Sequence, residues 1–282
     1  MEVITRTGYG AHLQTCMKFR RPYPIYTNTT LNEKLNIQSG VKPPVGEYPY
    51  CGYLAIGNGG HKVAQGADNM SAPDPVEHIA TDAAPFKILP FVLREQTDDL
   101  SEPQRRKYAL RREEEHNGVR YYAYYLMRMD LSALNPTLEL VVVDGDTKTT
   151  SPFVPTSEVL SPVPQELSPT GVNTVDGDYL SASAKVPIVF TEDDMTELRN
   201  VAKVLFGADK YAIISELIPC YGYDKMVDSP APGNTTIPFN EAIAVQVDSF
   251  INTFIAAKFT KSGFDMLLDA GTSEPLFKLT AP

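Results

Sequence analysis

The stretch Lys107 to Asp130, KYALRREEEHNGVRYYAYYLMRMD, limits what this chain can fold into more than any other. Asn117-Gly118 lies between two strand-like runs, and Asn-Gly is the strongest short-range hairpin signal because both central turn positions favour positive φ. On the second run one face carries Val119, Tyr121, Ala123, Tyr125, Met127 and Met129, and the other carries Arg120, Tyr122, Tyr124, Leu126 and Arg128. Both faces need partners, which places the run inside a sheet rather than at its rim. Its four tyrosines bury ring area, and each buried hydroxyl needs a hydrogen-bond partner.

The apolar share, 43% of 282 residues, is enough for a core that needs no covalent staples. A net charge of −10 disfavours non-specific attraction to nucleic acid or anionic lipid, so neither a membrane nor a specific nucleic acid is an expected partner. Cys16, Cys51 and Cys220 are odd in number and far apart, which suggests neither a disulfide framework nor a zinc knuckle. The opening MEVITRTGYG has no basic region followed by an apolar core, and no apolar run approaches 18 residues, so synthesis in the cytoplasm and a soluble chain are expected.

Taken in order, residues 1–46 have sparse, irregular apolar positions and read as an extended N-terminal arm, either packed on its own domain or reaching a neighbouring subunit. Tyr50 to Ile56 reads as a short strand closed by Gly57-Asn58-Gly59-Gly60-His61. That glycine cluster lacks both the P-loop Lys-Ser/Thr and the dinucleotide-binding spacing, so it reads as a tight turn. His61, His78 and Asp82 have no metal-ligand spacing, and no metal or cofactor is expected. Ile88 to Gln96 reads as a strand with Pro90 at an edge or bulge. Arg105, Arg106, Lys107, Arg111 and Arg112 form the most basic run, with Glu113, Glu114 and Glu115 placed to neutralise it across the hairpin.

Residues 47–150 form a β-rich lobe that includes a second hairpin at Asp144-Gly145, and 151–184 form a proline-rich connection. Residues 185–282 form an α+β lobe. Within it, Thr191 caps a helix whose Glu192, Asp193 and Asp194 complement the dipole, Gly207 closes it, and Met195, Leu198, Ala202 and Leu205 form its stripe. Tyr211 to Cys220 reads as a strand, and Asn240 to Lys258 as a second helix with Ile243, Val247, Phe250, Ile251 and Phe254 on one side. Phe264 to Leu268 and Leu276 to Leu279 are strand-like. The fold class expected is α+β, an antiparallel β-rich core with two main helices in the C-terminal half and long extended loops.

PFVLRE at Pro90 to Glu95, KYALRR at Lys107 to Arg112, YYAYYLMRMDLS at Tyr121 to Ser132 and EAIAVQVDSFI at Glu241 to Ile251 together resemble a group of tailed-bacteriophage virion structural proteins. The resemblance implies a non-enzymatic component of the head-to-tail connector, neck or tail; more faintly, the chain resembles baseplate wedge proteins. It also implies residence in the virion, with other copies of the chain and other virion proteins as partners. Such proteins work through surfaces, and the candidate partner interface is basic: Lys18, Arg20, Arg21, Arg105, Arg106, Arg111 and Arg112. No catalytic residue is expected. Two other functions fit the residues: a hydrolase acting through a carboxylate pair, and a sugar- or protein-binding module on a tyrosine-rich sheet.

Overall fold

A computed structural model describes residues 3–26, 30–38, 40–65, 71–162 and 175–277. In chain order the elements are β1 (Val3–Arg6), α1 (Gly8–Lys18), α2 (Thr30–Lys34), β2 (Tyr50–Gly57), β3 (His61–Gln65), β4 (Ser71–Pro75), β5 (Ile88–Leu89), β6 (Val92–Glu95), α3 (Glu102–Arg105) and β7 (Tyr108–His116). They continue with β8 (Val119–Arg128), β9 (Thr137–Asp144), β10 (Thr147–Pro152), α4 (Ser157–Leu160), β11 (Val175–Thr191), α5 (Glu192–Phe206), β12 (Ile213–Ala231), β13 (Thr235–Val247), β14 (Ser249–Ala256) and β15 (Gly263–Phe277). With 52% of the described residues in strands and antiparallel sheets, the protein is α+β and β-rich, as expected.

The chain packs as two units, Met1–Met129 with Val189–Asp265, and Asp130–Ile188 with Met266–Pro282. This division differs from the linear lobes read from the sequence, because antiparallel pairing returns late strands to early ones. In the first unit a nine-stranded sheet runs β1-β14-β12-β2-β8-β6, with β13 on β12, β5 on β2 and β7 on β8. Strand β12 is its hub. Over its 19 residues it pairs first with β14, then with β2, then with β13. The second unit holds the four-stranded order β10-β9-β11-β15.

The β7–β8 hairpin turns at Asn117 (φ 53°) and Gly118 (φ 77°), the positive values the Asn-Gly signal requires. Strand β8 is interior: β7 lines one side, while β6 and then β2 line the other. Tyr122, Ala123, Tyr124 and Leu126 have no exposed surface. Leu126 takes φ 56°, and there β8 passes from Val92 of β6, opposite Tyr124, to Leu54 of β2, opposite Met127. A left-handed non-glycine residue costs roughly 1–2 kcal/mol, which the burial of its side chain offsets. Tyr124 donates to Asp99 and Tyr125 to Glu114. Tyr122 departs from expectation: its buried hydroxyl has no hydrogen-bond partner among the described residues, and its ring instead lies 3.4 Å under the Arg111 guanidinium.

Helix α5 follows its sequence signals closely. Thr191 caps it and accepts from the Asp194 amide, Asp194 reaches back to the Thr191 amide, and Gly207 closes it at φ 78°. The second expected helix, Asn240 to Lys258, is not helical; it forms most of β13 and all of β14. Every residue from Glu241 to Val247 is buried, so the run is buried on both faces and a 3.6-residue apolar stripe can be drawn through it. Its β-branched content, with Ile243, Val245, Val247, Ile251, Thr253 and Ile255, favours strand. The other long helix is α1, at the opposite end of the chain.

The described part of residues 1–46 is likewise not an extended arm. Strand β1 pairs with β14, Thr7 caps α1, and Leu13, Leu31, Leu35 and Ile37 are all at most 5% exposed. Its apolar residues divide: Leu13, Cys16, Leu31, Leu35 and Ile37 are buried and anchor the segment, while Ile4, Phe19 and Val45 stay exposed. Residues 163–174, with Pro164 and Pro169 of the expected connection, and 278–279 of the expected tail strand, lie outside the described residues.

Two outcomes are expected. Leu126→Ala or Tyr125→Ala should lower unfolding free energy by about 2–5 kcal/mol, read from denaturant midpoints; unchanged midpoints would mean that β8 is not interior. The phenols of Tyr53, Tyr108, Tyr124, Tyr125 and Tyr221 are pushed up, mainly by burial and then by neighbouring carboxylates or hydrogen bonds. The unfolded chain releases these protons near pH 10, so their contribution is present below that pH and is lost as pH rises further. Tyrosinate absorbance of these residues should therefore appear together with unfolding rather than before it.

Candidate functional site

Residues that could act chemically or as contacts fall into three places in the first unit. The first is the basic run, which the fold takes apart. Arg111, expected at a partner surface, is 3% exposed: it donates to Tyr124 Oη (3.0 Å), Ser229 Oγ (2.9 Å), Asp99 Oδ2 (2.8 Å) and the Pro230 carbonyl. It is a core clamp, because β7 turns its side chain into the sheet's interior. Arg112 pairs with Glu241 (2.8 Å) and also donates to the Leu35 and Asn36 carbonyls. Arg105 bonds the Leu100 carbonyl and lies 3.8 Å from Asp99. Lys107 is 2.6 Å from Asp194 at the start of α5. Only Arg106 of this run is well exposed, and it pairs with Glu102 one turn away. The neutralising carboxylates are thus mostly Asp99, Glu102, Asp194 and Glu241 rather than Glu113 to Glu115, since the basic side chains reach other elements instead of crossing the hairpin.

The second place is a buried polar node that sequence reasoning missed. Glu216, in the first half of β12, is 0% exposed. Its Oε1 accepts from His78 Nε2 (2.8 Å) and the Phe86 amide (2.9 Å), and its Oε2 from the Gly59 amide (2.7 Å). The other ring nitrogen of His78 lies 2.8 Å from Asp82 Oδ2. The imidazole is stacked between Phe86 and Phe250, with ring centroids 3.9 and 3.6 Å away.

The cluster Gly57-Asn58-Gly59-Gly60 is explained by this carboxylate. A Cβ on Gly57 would fall 2.3 Å from Glu216 Oε2, and one on Gly60 would fall 2.6 Å from the Ser215 carbonyl. The loop does cradle an anion, but one that the chain supplies itself. His61 takes no part in the pairing: burial holds its imidazole below the usual range against the opposing Glu216 charge, and it meets Phe254 edge-on. A lone glutamate inside the apolar run AIISELI was the signal available in the sequence, since a buried carboxylate demands partners. Chemically the node resembles a proton relay, yet its oxygens are committed to internal donors. None of the three cavities described below is lined by His78, Asp82 or Glu216.

The third place is the surface. A groove of about 770 Å³ is formed by residues 17–25 and 42–49, with Pro22, Tyr23, Pro43, Pro44 and Tyr48 in its walls and Arg20, Lys42 and Glu47 as its charged lining. Lys18, Arg20 and Arg21, expected as partner contacts, are exposed on this segment and form no ion pair among the described residues. A second cavity, about 380 Å³, is lined by Arg94, Lys107, Asp193, Asp194 and Glu197 at the start of α5. A third, about 500 Å³, lies beside Arg105, Arg106, Arg128 and Asp224. Among the described residues no group of three His, Cys, Asp or Glu side chains is placed to hold a metal ion.

Fold and site together define an antiparallel β-sheet protein of the α+β class, with its buried charges paired internally and a cationic groove at its surface. The chain belongs to a family of unknown function, DUF7208, whose model matches residues 1–281. No curated protein and no solved structure matches it.

Glu216→Ala should strand the buried His78 ring nitrogen and two part-buried amides, costing on the order of 3–5 kcal/mol. Arg106→Ala, which breaks an exposed pair, should change stability by no more than about 1 kcal/mol. Equal effects in chemical denaturation would contradict the assignment of the node.

Proposed function

We propose that this chain is a non-enzymatic structural component of a tailed-phage virion, part of the head-to-tail connector, neck or tail. The observation that carries the assembly reading is the sheet β10-β9-β11-β15. Among the described residues its outer strands, β10 and β15, each have one neighbour, so each presents an unpaired edge. Every residue of β10 is exposed, and so are Leu138, Val142 and Leu267 at 43%, 40% and 65%. Open edges and exposed aliphatic side chains are a liability for a protein that works alone and a resource for one that works in contact with others. The pairing of buried charges within the chain supports the same reading, because it leaves carboxylates such as Glu216 and Asp99 engaged in holding the fold.

The phage assignment rests on the resemblance carried by PFVLRE, KYALRR, YYAYYLMRMDLS and EAIAVQVDSFI. It is tested by purifying particles from an infected host on a density gradient. On this reading the protein sediments with the particles in a fixed ratio to the other virion proteins. Recovery only from the soluble fraction, at every stage of infection, would overturn it.

A further inference from the structure

We propose that the groove formed by residues 17–25 and 42–49 seats the acidic edge strand β15 of a second copy of this chain. This deepens the assembly reading and rests on it. The argument begins with charge. Residues 1–49 carry six lysines and arginines against three glutamates, a surplus of positive charge in a chain whose total is −10. Arg20 and Lys42 line the groove, and Lys18 and Arg21 flank it on the same segment; all four are exposed and none has a carboxylate partner among the described residues. The groove's walls are mostly proline, tyrosine and aliphatic; its one acidic lining residue, Glu47, accepts from the Tyr223 hydroxyl. Its ligand should therefore be an extended segment with apolar side chains between negative charges.

Strand β15, GFDMLLDAGTSEPLF, has that character. It contains Asp265, Asp269 and Glu274 and no basic residue. Asp265, Leu267 and Asp269 alternate along the strand and are exposed, Leu267 at 65%, while Leu268 between them is buried at 8%. An acidic, apolar, acidic ridge thus stands beside an edge whose backbone groups have no strand partner among the described residues. Added strands use such edges for main-chain hydrogen bonds and draw specificity from alternate side chains. Groove and strand are different surfaces, so the contact is head-to-tail, and copies joined this way close into a ring or extend as a filament.

Charge exchange tests the pairing. Arg20→Glu with Lys42→Glu reverses the groove, and Asp265→Lys with Asp269→Lys reverses the strand; all four side chains are exposed, and a retained melting transition checks each fold. Sedimentation velocity of the wild type should show an oligomer that weakens as salt rises from 50 to 500 mM. Each reversed variant alone should have its assembly constant weakened at least tenfold, because it presents like charges on both surfaces. Mixing the two should restore assembly, since every junction then joins opposite charges. Arg20→Gln with Lys42→Gln should give an intermediate loss. If the wild type assembles and the reversed variants do so equally well, or if mixing restores nothing, the groove proposal falls and the assembly reading stands. A wild type that stays monomeric up to about 100 µM overturns both.

Discussion

A carboxyl group with no exposed surface needs hydrogen-bond partners for both of its oxygens, and Glu216 on the hub strand is such a group. Its donors come from separate stretches of chain: Gly59 from the loop after β2, Phe86 from the segment before β5, and His78 from the segment after β4. Charge-assisted bonds of this kind are roughly twice as strong as neutral ones. Each donor that reaches the carboxylate fixes the path of a loop with few apolar residues of its own. The same segment is held again at Asp82 through His78, at the Gly60 carbonyl by the Val76 amide, and at the Ala80 carbonyl by the Gly8 amide at the start of α1. One acidic residue thereby accounts for the close approach of Gly57 and Gly60 and for the placement of the imidazole stacked between two phenylalanines.

The remaining charges extend this logic outward. Arg111 and Arg112, adjacent on β7, point to opposite faces; one closes on Asp99, Tyr124 and Ser229, the other on Glu241 and the backbone near Leu35. Both use the arginine fork to bind several oxygens at once, which a lysine could not do in the same space. The first turn of α5 is tied to the start of β7 through Asp194 and Lys107. Because these groups hold elements together, the cations left at the surface near the groove of residues 17–25 and 42–49 stand out. The open edges of the four-stranded sheet stand out for the same reason, and the functional proposals rest on these two features.

Local signals were the legible part of the sequence. The Asn-Gly turn, the Thr191 cap with its closing Gly207, and the two-faced tyrosine strand each depend on residues within a few positions of one another, and the structure places them as those residues dictate. The hairpin expected at Asp144-Gly145 turns one residue later, at Gly145-Asp146, with Asp144 paired to Thr147. What was not legible depends on distant partners. β13 reads as helical because a strand buried on both faces loses its alternation, and the first 46 residues read as unattached because their partners are remote: β1 pairs with β14, and Leu31, Leu35 and Ile37 join a core cluster that includes Val245 and Val247. The glycine cluster reads as a turn because the carboxyl group it accommodates, Glu216, lies far away on β12. The basic run reads as a surface because the acids that neutralise it, Asp194 and Glu241 among them, are remote along the chain.

Amide hydrogen exchange at Gly59 and Phe86 tests the central claim most directly, since both are loop residues whose protection depends on the Glu216 carboxylate. The account predicts exchange as slow as in the interior of β8 and β12, requiring global unfolding. Exchange of these two amides at the rate of exposed loops would mean that the carboxylate does not organise the fold.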